Sequence, residues 1–230
     1  MINNMRDLGG TKTKDGKSIR KNMLVRSAHL GKANKEDLVG IAAVIDLRTP
    51  GERQEIPDQF HHCAYYPVPI FTRLTAGISH EEKANSLGIP DMRWLYRKLV
   101  SECHEAFENV LRIILSHDFG KGAILWHCTE GKDRCGLTTA MVLELLGVER
   151  KAIMEDYLKT NIVNMPKAIA MRQQYLSYDK EMADMLYRAY IADASYLEEA
   201  WEEMGKDYFE AKVQLDENLL EEFRDKLLEM

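Results

Sequence analysis

The sequence has little of what marks a secreted or membrane-spanning protein. Its 230 residues include four cysteines, and these lack the paired spacing of a disulfide framework. No apolar run approaches the ~20 residues that span a bilayer. The opening residues, MINNMRDLGG, lack the charged-then-apolar pattern of a signal peptide. Without repeats or low-complexity linkers, we expect one domain over residues 1–230, cytoplasmic and with no stable membrane insertion.

Charge is distributed unevenly along the chain. The net charge is -6, and residues 193–230 carry 13 acidic against 4 basic side chains. The remainder is slightly basic, with 27 Lys and Arg against 24 Asp and Glu. This balance argues against a nucleic-acid partner and leaves room for a smaller anionic ligand.

Short apolar runs alternate with helical periodicity, which is typical of an α/β domain. The runs at 42–48 (AAVIDLR) and 123–126 (AILW) have the character of buried strands. Two prolines place a third strand, 64–70 (AYYPVPI), at a sheet edge. Helical spacing over about 90–117 and 137–147, and from 151 to the end, predicts a central sheet flanked by helices, with a helical C-terminal part at 151–230.

One stretch, AILWHCTEGKDRCG at residues 123–136, concentrates reactive residues where a strand gives way to a helix. The helix supplies free backbone N–H groups and the positive end of its dipole, so the turn before it can cradle an anion. A cysteine at the mouth of such a cradle has its thiolate stabilised. Cys128 is therefore the predicted nucleophile.

Arg134 follows Cys128 by six positions, and its planar fork suits two oxygens of a phosphate group. This pairing predicts attack of the thiolate on phosphorus, a phosphocysteine intermediate and hydrolysis by water. The residues expected to bind the substrate are those of the turn with the histidine before it: His127, Thr129, Glu130, Gly131, Lys132, Asp133 and Arg134.

Other motifs fit this stretch less well. A nucleotide-binding Walker loop requires glycine where Trp126 stands and Ser or Thr where Asp133 stands. A zinc site requires closer cysteines than Cys128 and Cys135. Two alternatives of other classes stay open: a catalytically weak phosphate-binding module that recognises phosphoproteins, and sulfur transfer on a similar cysteine loop.

HCTEGKDRCG resembles the signature of the cysteine-dependent protein tyrosine phosphatase superfamily, and its Lys132 and Asp133 are similar to the bacterial tyrosine/dual-specificity and lipid phosphatase branch. NMRDLGG, LVRSAHL, VIDLRTPGER and AIMEDYLKTN agree with this resemblance, and together these segments span most of the chain. The resemblance implies the fold of that superfamily and hydrolysis of phosphotyrosine without a metal or other cofactor. For some members it also implies phosphoserine, phosphothreonine or phosphoinositides, so the expected partner is a phosphorylated protein or a phosphoinositide.

The sequence leaves open which residue is the general acid. Many tyrosine phosphatases carry it on a Trp-Pro-Asp loop, and no such string occurs here. The branch that this chain resembles implies Asp133, with Asp91 as the alternative. We expect a helical lid at about residues 71–99, and a structural role for Asp46 at the end of a strand.

The sequence leaves the roles of several residues in and beside the turn open. Cys135 stands where the family usually has a hydroxyl that bonds the thiolate, and a thiol is a weaker donor. It also suggests a Cys128–Cys135 disulfide under oxidation. Glu130 either points outward or opposes a dianionic substrate, and Lys132 either adds positive potential or faces solvent. His127 is expected to orient the loop.

Overall fold

The computed structural model describes residues 2–59, 62–71 and 91–230. Most of the expected lid, residues 72–90, lies outside the described residues. The strands of the described part are β1 (Arg6–Asp7), β2 (Ser18–Ile19), β3 (Leu24–Ser27), β4 (Ile41–Asp46), β5 (Ala64–Pro67), β6 (Ala123–His127) and β7 (Leu228–Glu229).

Five of these strands form a mixed central sheet in the order β1-β3-β6-β4-β5. Strands β3, β6, β4 and β5 are parallel, and β1 pairs antiparallel with β3 at one edge. The predictions of buried strands at 42–48 and 123–126 are confirmed, because β4 and β6 are central. The prediction of an edge strand at 64–70 is confirmed by β5. A separate two-stranded sheet pairs β2 with β7.

Helices cover the sheet and form the C-terminal part, as the sequence predicts. The expected helix over 90–117 is two helices, because the chain leaves helical geometry at Cys103 (φ -107°, ψ 17°). Gly147, with a φ of +80°, ends the helix after β6 as expected. The helices are α1 (Pro50–Glu55), α2 (Met92–Glu102), α3 (His104–Leu115), α4 (Asp133–Leu145), α5 (Arg150–Lys159), α6 (Asn161–Leu176), α7 (Lys180–Tyr190), α8 (Ala194–Met204) and α9 (Glu217–Leu227).

Strand β6 shows how the core is divided. Because side chains alternate along a strand, Ile124 and Trp126 enter the larger apolar cluster, which includes residues of α2, α3 and α4. Ala123 and Leu125 face a smaller cluster on the other side of the sheet. All five residues of β6 are buried, so the strand that leads to the reactive stretch is rigidly held.

Helices α6 and α7 form a hairpin that differs from this core. Of their side chains, only Asn164, Ala168 and Ala183 are buried. Ile162 and Tyr178 are 79% and 86% exposed. In the described part of the chain, no helix has the length and apolar character to cross a membrane.

Candidate active site

Residues 128–134, called the cysteine loop, follow β6 at the carboxyl end of the parallel sheet. His127 ends the strand, Cys128 is 3% exposed, and α4 begins at Asp133. The strand, turn and helix therefore occur where the sequence predicts them. Sites at this edge of a parallel sheet bring a turn and the N-terminus of a helix to the same place.

Gly131 is the tightest point of the cysteine loop. Its φ of +66° favours glycine, and a Cβ atom there would lie 2.7 Å from the backbone carbon and oxygen of Ser27. Its carbonyl oxygen accepts hydrogen bonds from Arg26 at 2.7 Å and from the amide of Asn4 at 2.8 Å. Both the conformation and the direction of this peptide are thus fixed.

The other carbonyls of the cysteine loop are also bound by the scaffold. The oxygen of Thr129 accepts from the backbone N–H of His29 at 3.2 Å, and that of Glu130 from Asn4 at 3.3 Å. In a trans peptide the N–H points opposite to the carbonyl, so the following amides point away from these partners. The N–H groups of 130–132 donate to no residue among those described. They are free donors suited to an anion.

A buried ion network holds this side of the loop. Arg26 is fully buried and donates to Asp156 at 2.9 Å, while Arg6 donates to the other oxygen of Asp156 at 2.7 Å. Burial disfavours the carboxylate, but the two arginines outweigh it and lower the pKa of Asp156. The guanidinium that fixes Gly131 is therefore neutralised within the protein.

Arg134 is held by Glu52 in a bidentate pair, with N–O distances of 2.7 and 2.6 Å. Glu52 also accepts from the hydroxyl of Thr129 at 2.5 Å and from the amide of Thr49 at 2.8 Å, where it completes the capping box of α1. Burial opposes ionisation, yet these bonds lower the pKa of Glu52 to about 2. Glu52 occupies the edge of the Arg134 guanidinium that carries Nη1 and Nη2. The Nε of Arg134 donates to no described residue.

The two candidate acids stand in different settings. Asp133, the first residue of α4, accepts from the hydroxyl of Tyr96 at 2.8 Å and lies 3.3 Å from the ammonium of Lys132. Asp91 caps α2 by accepting from the amide of Trp94 at 2.9 Å. The structure thus brings Asp133 into the cysteine loop and engages Asp91 as a helix cap; the choice between them stays a prediction.

Lys132 is buried, so its interpretation as a solvent-facing side chain is wrong. Its ammonium donates to the carbonyl oxygens of Ala189 at 2.5 Å and Ile191 at 3.1 Å, at the carboxyl end of α7. Those carbonyls and the negative end of the helix dipole compensate its charge. Contact between Lys132 and substrate stays a prediction.

Glu130 pairs with Lys167 of α6 at 2.5 Å, at the rim of the cysteine loop. Both side chains are partly exposed, at 38% and 46%. The negative charge that the sequence places in the loop is therefore balanced by a helix that follows it.

His127 is buried beneath the loop in a second ion network. Its Nε2 lies 3.1 Å from Asp58, and its Nδ1 lies 3.4 Å from the carbonyl oxygen of Cys128. Arg48 pairs with Asp46 at 2.7 Å and with Asp58 at 2.6 Å. Despite burial, the bonds from Arg48 lower the pKa of Asp46 to about 2, so Asp46 is a structural partner. The carboxylates of Asp46 and Asp58 thus have a positively charged partner in Arg48, which supplies the charge that a metal ion could otherwise provide.

Cys135 lies on the strand side of the cysteine loop. Its thiol is 3.6 Å from the carbonyl oxygen of Trp126, to which it donates. Burial raises the pKa of Cys135 to about 11, which keeps it in the thiol form. The proposed disulfide with Cys128 stays a prediction.

Sequence reasoning did not single out the residues that hold the cysteine loop. Asn4, Arg26, Glu52 and Asp156 each lie in one of the segments that carry the family resemblance outside the signature itself. The resemblance of those segments to the family was therefore the sequence feature that could have identified these four residues. Tyr96 lies in none of them, and nothing in its helical spacing marks it.

A family model described as the tyrosine phosphatase family matches residues 1–229 of this chain. The chain is 31% identical, over 176 residues, to a protein of Cupriavidus necator that is named a tyrosine-protein phosphatase, covering 70% of this chain and 61% of that protein. It is 29% identical to a tyrosine-protein phosphatase of Nostoc commune, covering 58% and 46%.

A third relative is the triple specificity protein phosphatase PtpB of Mycobacterium tuberculosis, at 30% identity over 69% of this chain and 66% of that protein. The chain thus spans less than two thirds of the length of these relatives. Among solved structures, the crystal structure of TpbA from P. aeruginosa aligns with 80% of this chain and 91% of that one, at 14% identity and a TM-score of 0.32.

Proposed function

The chain belongs to the tyrosine phosphatase family, and from this premise we propose that it hydrolyses phosphotyrosine monoesters through a phosphocysteine intermediate. The observation that carries the proposal is the cysteine loop. Within the described part of the chain its amides at 130–132 have no acceptor, the carbonyls of the same peptides are bound, and Arg134 is held by Glu52. This arrangement supplies preorganised donors to a phosphate above Cys128.

In the first step, the thiolate of Cys128 attacks phosphorus, and a sulfur–phosphorus bond forms as the bond to the leaving oxygen breaks. Asp133 gives its proton to that oxygen. In the second step, water attacks phosphorus and passes a proton to Asp133, and the electron pair of the sulfur–phosphorus bond returns to Cys128. Arg134 and the loop amides hold the non-bridging oxygens throughout.

The proposal includes phosphoserine, phosphothreonine and phosphoinositide monoesters as further substrates. The printed name of the mycobacterial relative, a triple specificity phosphatase, supports a range wider than phosphotyrosine. We also propose one phosphatase domain over residues 1–230, acting in the bacterial cytoplasm. The match over residues 1–229 and the four free cysteines support the single domain and the reducing compartment.

A catalytically weak phosphate-binding module is the second candidate. The position of Cys135 favours it, because its thiol donates to Trp126 instead of supplying the hydroxyl contact usual in the family. Such a module would bind phosphopeptides and release little phosphate.

Phosphate release by the purified protein in EDTA tests the proposal. The panel holds a phosphotyrosine peptide, a phosphoserine peptide and a phosphoinositide, and Cys128→Ser is compared with wild type. Cys63→Ser is the matched control, since the thiol of Cys63 donates to the carbonyl of Ile41 at the start of β4, at 3.1 Å. We expect release that is lost in Cys128→Ser and kept in Cys63→Ser.

Binding of phosphopeptide without release would favour the module, and release that survives in Cys128→Ser would contradict the thiol mechanism. A parallel assay with thiosulfate and cyanide tests sulfur transfer, for which we expect no turnover.

A further inference from the structure

We propose that Tyr96 is a positioning residue for Asp133. Its buried hydroxyl holds one oxygen of the carboxyl group, so that the transferable proton resides on the other oxygen. The inference deepens the proposed function and rests on it, because it assigns how the acid in the cysteine loop is oriented toward the leaving group.

The first observation is a chain of buried hydroxyl groups that ends at the carboxylate. Tyr96, on α2, is fully buried, and its oxygen lies 2.8 Å from Oδ1 of Asp133 and 2.7 Å from the hydroxyl of Tyr157 on α5. A phenol has one proton to donate. Since an ionised Asp133 only accepts, Tyr96 donates to Asp133 and Tyr157 donates to Tyr96.

The rings around Tyr96 fix where its hydroxyl stands. Tyr157 packs edge-on against it with ring centroids 6.2 Å apart, and Tyr196 of α8 packs at 5.7 Å. Two helices, α5 and α8, therefore pack on the ring of Tyr96, which α2 carries. The hydroxyl cannot move from Asp133 without displacing this packing.

The second observation is that the two oxygens of Asp133 are not equivalent. Oδ1 accepts from Tyr96 and lies 3.3 Å from the ammonium of Lys132. Oδ2 accepts from no residue among those described, and the side chain is 26% exposed. A proton on Oδ1 would compete with the hydrogen of Tyr96 and face the charge of Lys132. A neutral Asp133 therefore carries its proton on Oδ2, on the accessible side.

The third observation is that Tyr96 remains a donor over the working pH range. Burial raises the pKa of Tyr96 well above its ordinary value, and the nearby carboxylate of Asp133 raises it further. The same hydroxyl thus serves both steps of the proposed reaction. It holds Oδ1 while Oδ2 first gives a proton to the leaving oxygen and then takes one from water.

The test separates a positioning role from a packing role through the leaving group. A series of aryl phosphates, from phenyl phosphate to dinitrophenyl phosphate, varies how much the leaving oxygen needs a proton. The ratio kcat/KM reports the first step for each substrate. A packing residue lowers kcat/KM equally for all of them, whereas a residue that orients the acid lowers it most for phenyl phosphate.

For Tyr96→Phe we expect kcat/KM to fall about 10-fold with phenyl phosphate and about 2-fold or less with dinitrophenyl phosphate, a part of the 10²–10⁴-fold that general acids contribute. Asp133→Asn should also lower kcat/KM most for phenyl phosphate, with a larger difference between the two substrates than in Tyr96→Phe. The double variant should match Asp133→Asn, because Tyr96 acts only through the carboxyl group.

Tyr208→Phe is the matched control. Its hydroxyl is also buried against α2, where it donates to the carbonyl of Val100 at 3.1 Å, away from Asp133. We expect a leaving-group dependence equal to that of wild type, with thermal unfolding measured for every variant.

Equal loss on all substrates in Tyr96→Phe, or no loss at all, would overturn the positioning role while leaving the phosphatase activity established. Absence of Cys128-dependent release in wild type would instead overturn the proposed function, and the positioning role with it.

Discussion

The cysteine loop and the α6–α7 hairpin, residues 161–190, are held by opposite means. The loop is fixed by charged side chains that are buried, such as Arg26 at 0% exposure. The hairpin carries its ion pairs on the surface, such as Arg172 with Asp184, whose side chains are 41% and 31% exposed. Ion pairs therefore occur in two different environments in this chain, buried beneath the cysteine loop and exposed on the hairpin.

The difference lies in desolvation. A buried pair gains little net stability, but removal of one partner leaves an uncompensated charge in the interior, so the geometry admits few alternatives. A surface pair is exchanged for water at small loss. The charges beneath the cysteine loop thus specify its shape, whereas those of the hairpin leave it free to adjust.

Two contacts join the regions. Lys132 donates to the end of α7, and Glu130 pairs with Lys167 of α6. Both start from the cysteine loop, so the hairpin is positioned by the loop more than by a core of its own.

The largest effect is expected from Asp156→Ala, which leaves the buried Arg26 without its carboxylate. The free energy of unfolding should fall by about 3–5 kcal/mol, measured by urea denaturation. Asp184→Ala in the hairpin is the matched control and should be indistinguishable from wild type. Similar losses in the two variants would remove the contrast between loop and hairpin.

Next in size is Glu52→Gln, which keeps the shape of the side chain but removes the charge paired with Arg134. A charge-assisted bond of about 1.5–3 kcal/mol corresponds to a fall in kcat/KM of about 10–160-fold toward a phosphotyrosine peptide. Thr49→Ala removes only the cap of α1 and should cost about 1 kcal/mol of stability with activity retained. Full activity in Glu52→Gln would mean that Arg134 needs no partner.

Acid should weaken the support of the cysteine loop by Glu52. The pKa of Glu52 is lowered from 4.5 to about 2, so its contribution to stability is present above 4.5 and is lost as the pH falls toward 2. Urea denaturation across this window should show declining stability, with a shallower decline in Glu52→Gln. An equal slope in both proteins would show that Glu52 has the same pKa in the folded and unfolded chain.

A smaller, local effect is expected from Lys132→Met, which removes the donor to the end of α7. Hydrogen exchange at Ala189 and Ile191 should accelerate about 10-fold, as for one hydrogen bond of about 1.4 kcal/mol, while α4 keeps its protection. Lys180→Met, at the exposed start of α7, is the control. Unchanged hydrogen exchange in Lys132→Met would show that contacts other than those of Lys132 hold the end of α7.

Local pattern was enough for the reactive centre but not for its support. A short apolar run predicts β6, the residue types of the turn predict the cysteine loop, and two prolines predict the edge strand β5, because these features depend on neighbours in the sequence. The bonds that fix the loop join residues far apart, such as Asn4 and Gly131, separated by 127 positions. Periodicity carries no information on such pairs.

Lys132 illustrates a second limit. A lysine in a polar turn is normally solvated, so the sequence left the solvent-facing interpretation open. Its burial depends on the carbonyls of Ala189 and Ile191, more than fifty residues later, at the end of a helix whose position only the fold determines.

Trapping the phosphocysteine intermediate tests the proposed function most directly. Wild-type protein is mixed with a phosphate-labelled phosphotyrosine peptide, quenched within milliseconds and mapped by peptide analysis. We expect label on Cys128 in the wild-type protein and no label in Cys128→Ser. Label on another side chain, or continued phosphate release with no covalent intermediate at any quench time, would contradict it.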